Sequence, residues 1–169
     1  MWNLLAKIVS RPTVANYLIN RAHRTPYFPL PGYMNRWWLF NAYGNDLTLD
    51  DVKRGMSKKR RWLPSVRIHH ILRKDEGRHL HDHPWNARTI ILNGWYWETR
   101  LDNDGAEYEV KRQAGDTASL KYGEYHTITS VSCLGVWTMF ITWDYKGTWG
   151  FLVDGNKVPW REYTDGGKA

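Results

Sequence analysis

From Ser65 onward the chain is a succession of short runs rich in Val, Ile, Thr and aromatic residues, each closed by Gly, Pro, Asn or Asp. Runs of that length read as strands, because a helix needs a longer stretch with apolar residues three and four apart. The pattern predicts strands at Val66–Arg73, Thr89–Leu92, Gly94–Leu101, Glu107–Gln113, Ala118–Leu120, His126–Val131, Val136–Trp143 and Gly150–Val153. The connections "LDNDGAE" and "VDGNKV" contain Asp104-Gly105 and Asp154-Gly155, pairs that accept the positive φ of tight hairpins. An all-β domain of this kind closes as a sandwich, a jelly roll or a barrel.

The chain before Pro64 has a different character. "MWNLLAKIVSRPTVANYLIN" reads as two short amphipathic helices broken at Pro12, with Trp2, Leu5, Ile8 and Val9, then Val14, Tyr17, Leu18 and Arg21, at helical spacing. Their apolar face is expected to pack on the main domain, with a peripheral membrane helix as the alternative. The following segment, with Pro26, Pro29, Pro31 and Gly32, is expected to wrap the domain without regular structure before Trp37 to Phe40. The division is therefore a basic helical and irregular extension over 1–64 and a barrel over 65–169.

Residues 1–64 carry eleven Lys or Arg against three acids, and residues 65–169 carry thirteen against fourteen, so the net charge of +7 belongs to the first third. It concentrates in "KRGMSKKRRW", where Lys53, Arg54, Lys58, Lys59, Arg60 and Arg61 precede Trp62. Such a run either keeps a solvated loop soluble or makes weak, sequence-independent contact with nucleic acid through Lys53 to Arg61. No helix-turn-helix, zinc-finger or RNA-recognition pattern accompanies it. No stretch approaches the roughly 20 apolar residues that span a bilayer, and no membrane partner is expected. Lys7, Arg11 and Pro12 interrupt a signal-peptide reading of the first residues. The single Cys133 excludes a disulfide framework, which suits a cytoplasmic setting. A homodimer is left open.

Within the β region, "HLHDHPWNARTIILNG" places His79, His81 and His83 at every second position. In an extended strand these imidazoles project to one face and Leu80 and Asp82 to the other. One reading is a solvent-facing polar edge, and the other is a metal site. Two histidines at i and i+2, joined by a third from a neighbouring strand, can form a facial set that leaves positions open for water, substrate or oxygen.

The spacing resembles the cupins, whose two motifs flank a hairpin and send ligands into a double-stranded β-helix. In the first motif a histidine pair is followed after three or four residues by glutamate, and six residues later by glycine. Here the pair is His81 and His83, the glutamate slot holds Ala87 with Arg88 beside it, and Gly94 closes the motif. The second motif falls on "GDTASLKYGEYHTITS", with Gly115, Gly123 and His126 in place, Lys121 where proline is usual and Ser130 where asparagine is usual. The resemblance covers Gly77 to Val136. It implies an all-β cupin double-stranded β-helix, or jelly-roll barrel, with a short N-terminal helical extension. It also implies a divalent metal on His81, His83 and His126, with His79 at the rim.

Three-histidine cupins without the glutamate look like the thiol dioxygenase group, and that resemblance implies Fe(II) as cofactor, with Zn, Ni, Mn or Cu also compatible with imidazole. It implies a small polar substrate, thiols included, and O2 as co-substrate. It further implies a cation for a substrate carboxylate and a proton-handling side chain. Arg67 and His69, on one face of "SVRIHHILRK", and Tyr96 are the candidate catalytic residues, with Arg88 a further candidate cation. His70 points the other way, and Cys133 does not match the position of a crosslinking cysteine. The alternatives are a metal-dependent sugar or keto-acid isomerase or epimerase, and a non-catalytic barrel that binds a small ligand.

Overall fold

A computed structural model describes residues 1–42, 62–77 and 79–166. The basic cluster from Lys53 to Arg61 lies outside the described residues. In chain order the elements are α1 (Trp2–Val9), α2 (Pro12–Ala22), β1 (Pro26–Leu30), β2 (Met34–Phe40), β3 (Ser65–Ile71), β4 (Trp85–Asn93), β5 (Trp95–Leu101) and β6 (Glu107–Gln113). They continue with β7 (Thr117–Leu120), β8 (His126–Val131), β9 (Val136–Tyr145), β10 (Gly150–Val153), β11 (Asn156–Pro159) and α3 (Trp160–Gly166). A six-stranded sheet runs β1-β2-β3-β9-β4-β7, a three-stranded sheet runs β6-β5-β8, and β10-β11 is a separate ribbon. The paired strands are antiparallel throughout. The architecture is an all-β jelly-roll barrel of antiparallel sheets with a short N-terminal helical extension.

The period-two alternation of β3, β4 and β9 gives the large sheet two different faces. Ile68, Ile90, Leu92, Met139 and Ile141 project outward and meet Ala6 and Val9 of α1 and Ala15, Ile19 and Ala22 of α2 in one core. Burying each such isoleucine or leucine contributes about 1.5–3 kcal/mol relative to exposure. The opposite parity carries Arg67, His69, Thr89, Thr138 and Phe140 into the barrel, where they line a cavity. At one end of that interior Ile71, Ile91, Tyr96, Ile128 and Val136 join the two sheets.

Two expectations about the first third change. The Pro-rich segment is not irregular, because residues 26–40 form β1 and β2, and β2 pairs with β3 from Met34↔Ile71 to Phe40↔Val66. The sheet therefore begins well ahead of Pro64. Pro26 and Pro29 fit because β1 is the sheet edge, where a missing N–H leaves no ladder bond unmade. The helical face also differs. Trp2, Ala6 and Val9 turn toward the sheet, whereas Leu5 and Ile8 are exposed, and on α2 the inward positions are Ala15, Ile19 and Ala22 while Tyr17 and Arg21 are exposed. Of the expected positions Trp2, Val9, Val14 and Leu18 do pack on the core, and Ala6, Ala15 and Ala22 beside them let both helices lie close on the strands.

The β4–β5 turn depends on Gly94. Its φ is +81°, and a Cβ there would lie 2.6 Å from Ser132 Oγ and 2.7 Å from the Gly135 carbonyl. Gly94→Ala is expected to destabilise the fold by about 2 kcal/mol or more, from left-handed backbone strain and this clash. The urea midpoint measures it, and an unchanged midpoint would show that the turn relaxes freely.

Candidate metal centre

His81 and His83 lie in the irregular segment between β3 and β4, not on a strand. Their shared direction is imposed by neighbours on both sides. His81 N donates to the His126 carbonyl at 2.9 Å and His126 N donates to that of His81 at 3.0 Å, an isolated bridge that docks the segment on β8. Asp82, fully buried, accepts from Gly150 N at 2.8 Å and from Lys157 Nζ at 2.6 Å, while Leu152 N donates to the Leu80 carbonyl at 2.8 Å. Leu80 and Asp82 are thus held by the β10–β11 ribbon, and His81 and His83 turn the other way into the barrel. The expected stripe of three imidazoles on one strand is corrected: His79 leaves the set, and its Nδ1 meets Tyr163 Oη at 2.9 Å.

One ligand atom from each of His81, His83 and His126 lies within 4.8 Å of the others, and His83 Nε2 is 3.0 Å from His126 Nε2. Nitrogens about 2.0–2.1 Å from one ion and set at right angles are about 3 Å apart, so this donor set fits a divalent metal. The tautomer of His126 fits as well. Its Nδ1–H donates to Glu98 Oε2 at 3.0 Å, which leaves the Nε2 lone pair facing the other two rings. Glu98 is completely buried and also accepts from Arg112 Nε at 2.9 Å, with Arg100 NH1 at 3.9 Å. Burial alone would raise its carboxyl, but His126, Arg112 and Arg100 outweigh that and hold it below its ordinary value. Asp75 lies 3.9 Å from His81 Nδ1 and is fixed by Ile128 N at 2.7 Å and by Tyr33 Oη.

The cavity beside this cluster has a volume of about 230 Å3. Arg67, His69 and Tyr96 all line it. The buried Arg67 guanidinium lies against Trp85, Trp38 and Phe140, with its carbon 4.7, 5.3 and 5.3 Å from the ring centres. His69 stacks on Phe140 at 5.2 Å, and its buried Nε2 has no hydrogen-bond partner among the described residues. Burial, then the Arg67 and Arg36 charges, push the His69 imidazole well below its ordinary value. Burial and Glu98 push the Tyr96 phenol up. Ala87 packs with Leu120 and Phe140, both cavity-lining residues, so the glutamate slot is filled by apolar contact. Arg88 is corrected: it has outward parity, with its guanidinium 4.9 Å from the Trp2 ring and bonded to Thr117, and does not line the cavity. The residues missed in the sequence are Arg36 and Asp75 at the cavity and Glu98 and Asp82 behind the ligands. His70 stacks on Trp137 at 4.1 Å outside the barrel, and Cys133 is exposed.

No family model matches the chain, and no curated protein does. Among solved structures, it is similar to oxalate decarboxylase of Bacillus subtilis. Against that enzyme at pH 4.6 the TM-score is 0.49 at 16% identity, covering 75% of this chain and 30% of that one. Against a tryptophan-to-tyrosine variant the TM-score is 0.48 at 15% identity, covering 71% and 28%. The chain thus matches less than a third of the length of each. Among the described residues, no helix is long and apolar enough to cross a membrane.

Alanine at His81, His83 or His126 is expected to abolish stoichiometric metal binding, whereas His79→Ala retains it. Metal analysis of untagged protein reads the result, and equal metal content in all four variants would remove the assignment.

The metal-free protein has a predictable pH response. Burial, followed by the His126 charge, lowers His81 from 6.5 to about 4, and Asp75 offsets only part of this. Between those values the unfolded chain takes up a proton that folded His81 refuses, so stability present above pH 6.5 is lost as pH falls toward about 4. His83 is lowered in the same direction, chiefly by burial. The Tm of chelator-treated protein is expected to drop across this window, less steeply in His81→Ala. A flat profile would mean that these rings are hydrated.

Proposed function

We propose that this chain is a mononuclear metal cupin acting as a non-haem Fe(II) dioxygenase on a small anionic substrate, thiol carboxylates included. The observation that carries the reading is the convergence of three imidazoles on a largely apolar cavity whose wall holds the buried Arg67 guanidinium. With ferrous iron on His81, His83 and His126, the centre would supply redox chemistry with dioxygen, and three neutral ligands leave its charge uncompensated. The chain's own residues do the rest. Arg67 binds and orients the substrate anion by charge-assisted hydrogen bonds that water does not weaken there. Trp85 and Phe140, whose rings lie against the guanidinium, exclude water from that contact. Tyr96, kept as a neutral phenol, offers a proton at Oη.

One observation favours a second reading. His69 presents an unpartnered Nε2 in the cavity wall, where a metal-dependent isomerase needs its base, and an anionic substrate would offset the Arg67 and Arg36 charges that oppose protonation there.

Anaerobically iron-loaded protein, offered a panel of small thiol and hydroxy carboxylates, is expected to consume oxygen with at least one of them. Arg67→Met is expected to raise KM by about tenfold or more, the loss of a hydrogen bond to a charged group, with metal content unchanged. Metal-loaded protein that takes up no oxygen but exchanges a substrate carbon-bound proton with solvent would replace the dioxygenase reading by the isomerase one.

A further inference from the structure

Helix α1 is apolar on two sides. Trp2, Ala6 and Val9 are inward, part of the core beneath the helix. Leu4, Leu5 and Ile8, at i, i+1 and i+4, form a second stripe that is 65%, 36% and 42% exposed. Lys7 borders that stripe and Arg11 follows its end, both exposed. The first 45 residues contain no Asp or Glu, against Lys7, Arg11, Arg21, Arg24 and Arg36. The acid on the loop beside Ser10, Asp116, is turned into its own turn and accepts from Gln113 N at 2.9 Å.

We infer that this face of α1 is a docking surface for an anionic lipid bilayer, with Leu4, Leu5 and Ile8 inserted at the headgroup boundary and Lys7 and Arg11 on the phosphates. Charge selects this occupant. A second copy of the chain would bring the same cations face to face with no carboxylate on the helix to offset them, whereas an anionic surface attracts them. Shape agrees with charge, since a single convex helix with long basic side chains beside its apolar stripe suits a planar interface, where those side chains reach up to the headgroups. The surface is also independent of the metal centre. Helix α1 covers the outer face of the large sheet, and Arg67 and His69 occupy the inner one.

Co-sedimentation of the full chain with phosphatidylcholine vesicles containing phosphatidylserine, against pure phosphatidylcholine, tests this. The expected result is binding to the anionic vesicles that falls as salt rises. Leu4→Ser, Leu5→Ser and Ile8→Ser together should weaken it about tenfold or more while leaving metal content unchanged, because these side chains lie on the other side of the sheet from the metal centre. Lys7→Gln with Arg11→Gln should weaken it too. The inference is overturned if the chain binds no vesicles, or if the triple variant binds as well as the parent. It is equally overturned if sedimentation velocity finds a dimer that the triple variant dissolves, because the stripe is then a contact between copies.

Discussion

Asp82 is a fully buried carboxylate between two cavity-facing histidines, and its bonds to Gly150 N and Lys157 Nζ decide where both imidazoles point. A buried charge persists only when paired and hydrogen-bonded, and removing a partner from such a pair costs several kcal/mol, about 3–5. Lys157 is held in turn by the Thr148 carbonyl at 2.9 Å and lies over the Tyr122 ring at 4.5 Å. The C-terminal ribbon is therefore part of the centre even though it offers no ligand. Without it the segment from Leu80 to His83 would have no reason to keep strand-like alternation outside a strand.

A carboxylate also backs two of the rings directly. Glu98 fixes His126 from β5, and Asp75 sits behind His81, itself fixed by Ile128 N on β8. Glu98 belongs to a different strand from the ring it faces, and Asp75, in the same β3–β4 segment as His81, is fixed to β8, so closing the barrel is what completes the set. Glu98 and His126 are 28 residues apart, and Asp75 and Ile128 are 53 apart. The ligand atoms come together only in the folded chain, so a bound metal would stabilise the whole barrel and not a local loop.

Those separations explain what sequence could and could not reveal. The strands Glu107–Gln113, His126–Val131 and Gly150–Val153 coincide with the expected spans because alternation and turn residues bound them on both sides. His81, His83 and His126 were readable because their spacing is local on each motif, and the shared face of Arg67 and His69 followed from strand parity. Strand β1 was hidden by prolines that are tolerated only because it became an edge, a property of the assembled sheet. The partners Glu98, Asp75 and Asp82 carry no local signal, since an isolated acid in a strand or loop says nothing about which distant ring it will face. Arg88 was the avoidable error. It has the parity of Ile90 and Leu92, which face the helices, and Ala87 has that of Thr89, which faces the cavity.

The replacement of a carboxylate by Ala87 has consequences beyond the count of ligands. With Leu120 and Phe140 packed against it, that position presents hydrocarbon to the cavity, and the buried carboxylates behind the ligands are already engaged, Glu98 by Arg112 and Asp75 by Ile128 N and Tyr33. Under the proposed reading, an ion held by three neutral imidazoles keeps its full charge beside Arg67, in surroundings that push imidazoles such as His69 toward their neutral form. Positive charge in a poorly solvated space is stabilised by an anion that enters and lies against the ion. A neutral molecule of the same size would leave the charge of the ion unscreened. The selectivity of such a site for an anionic substrate would therefore come less from a shaped pocket than from the missing glutamate, which in this barrel leaves the compensating charge to the ligand.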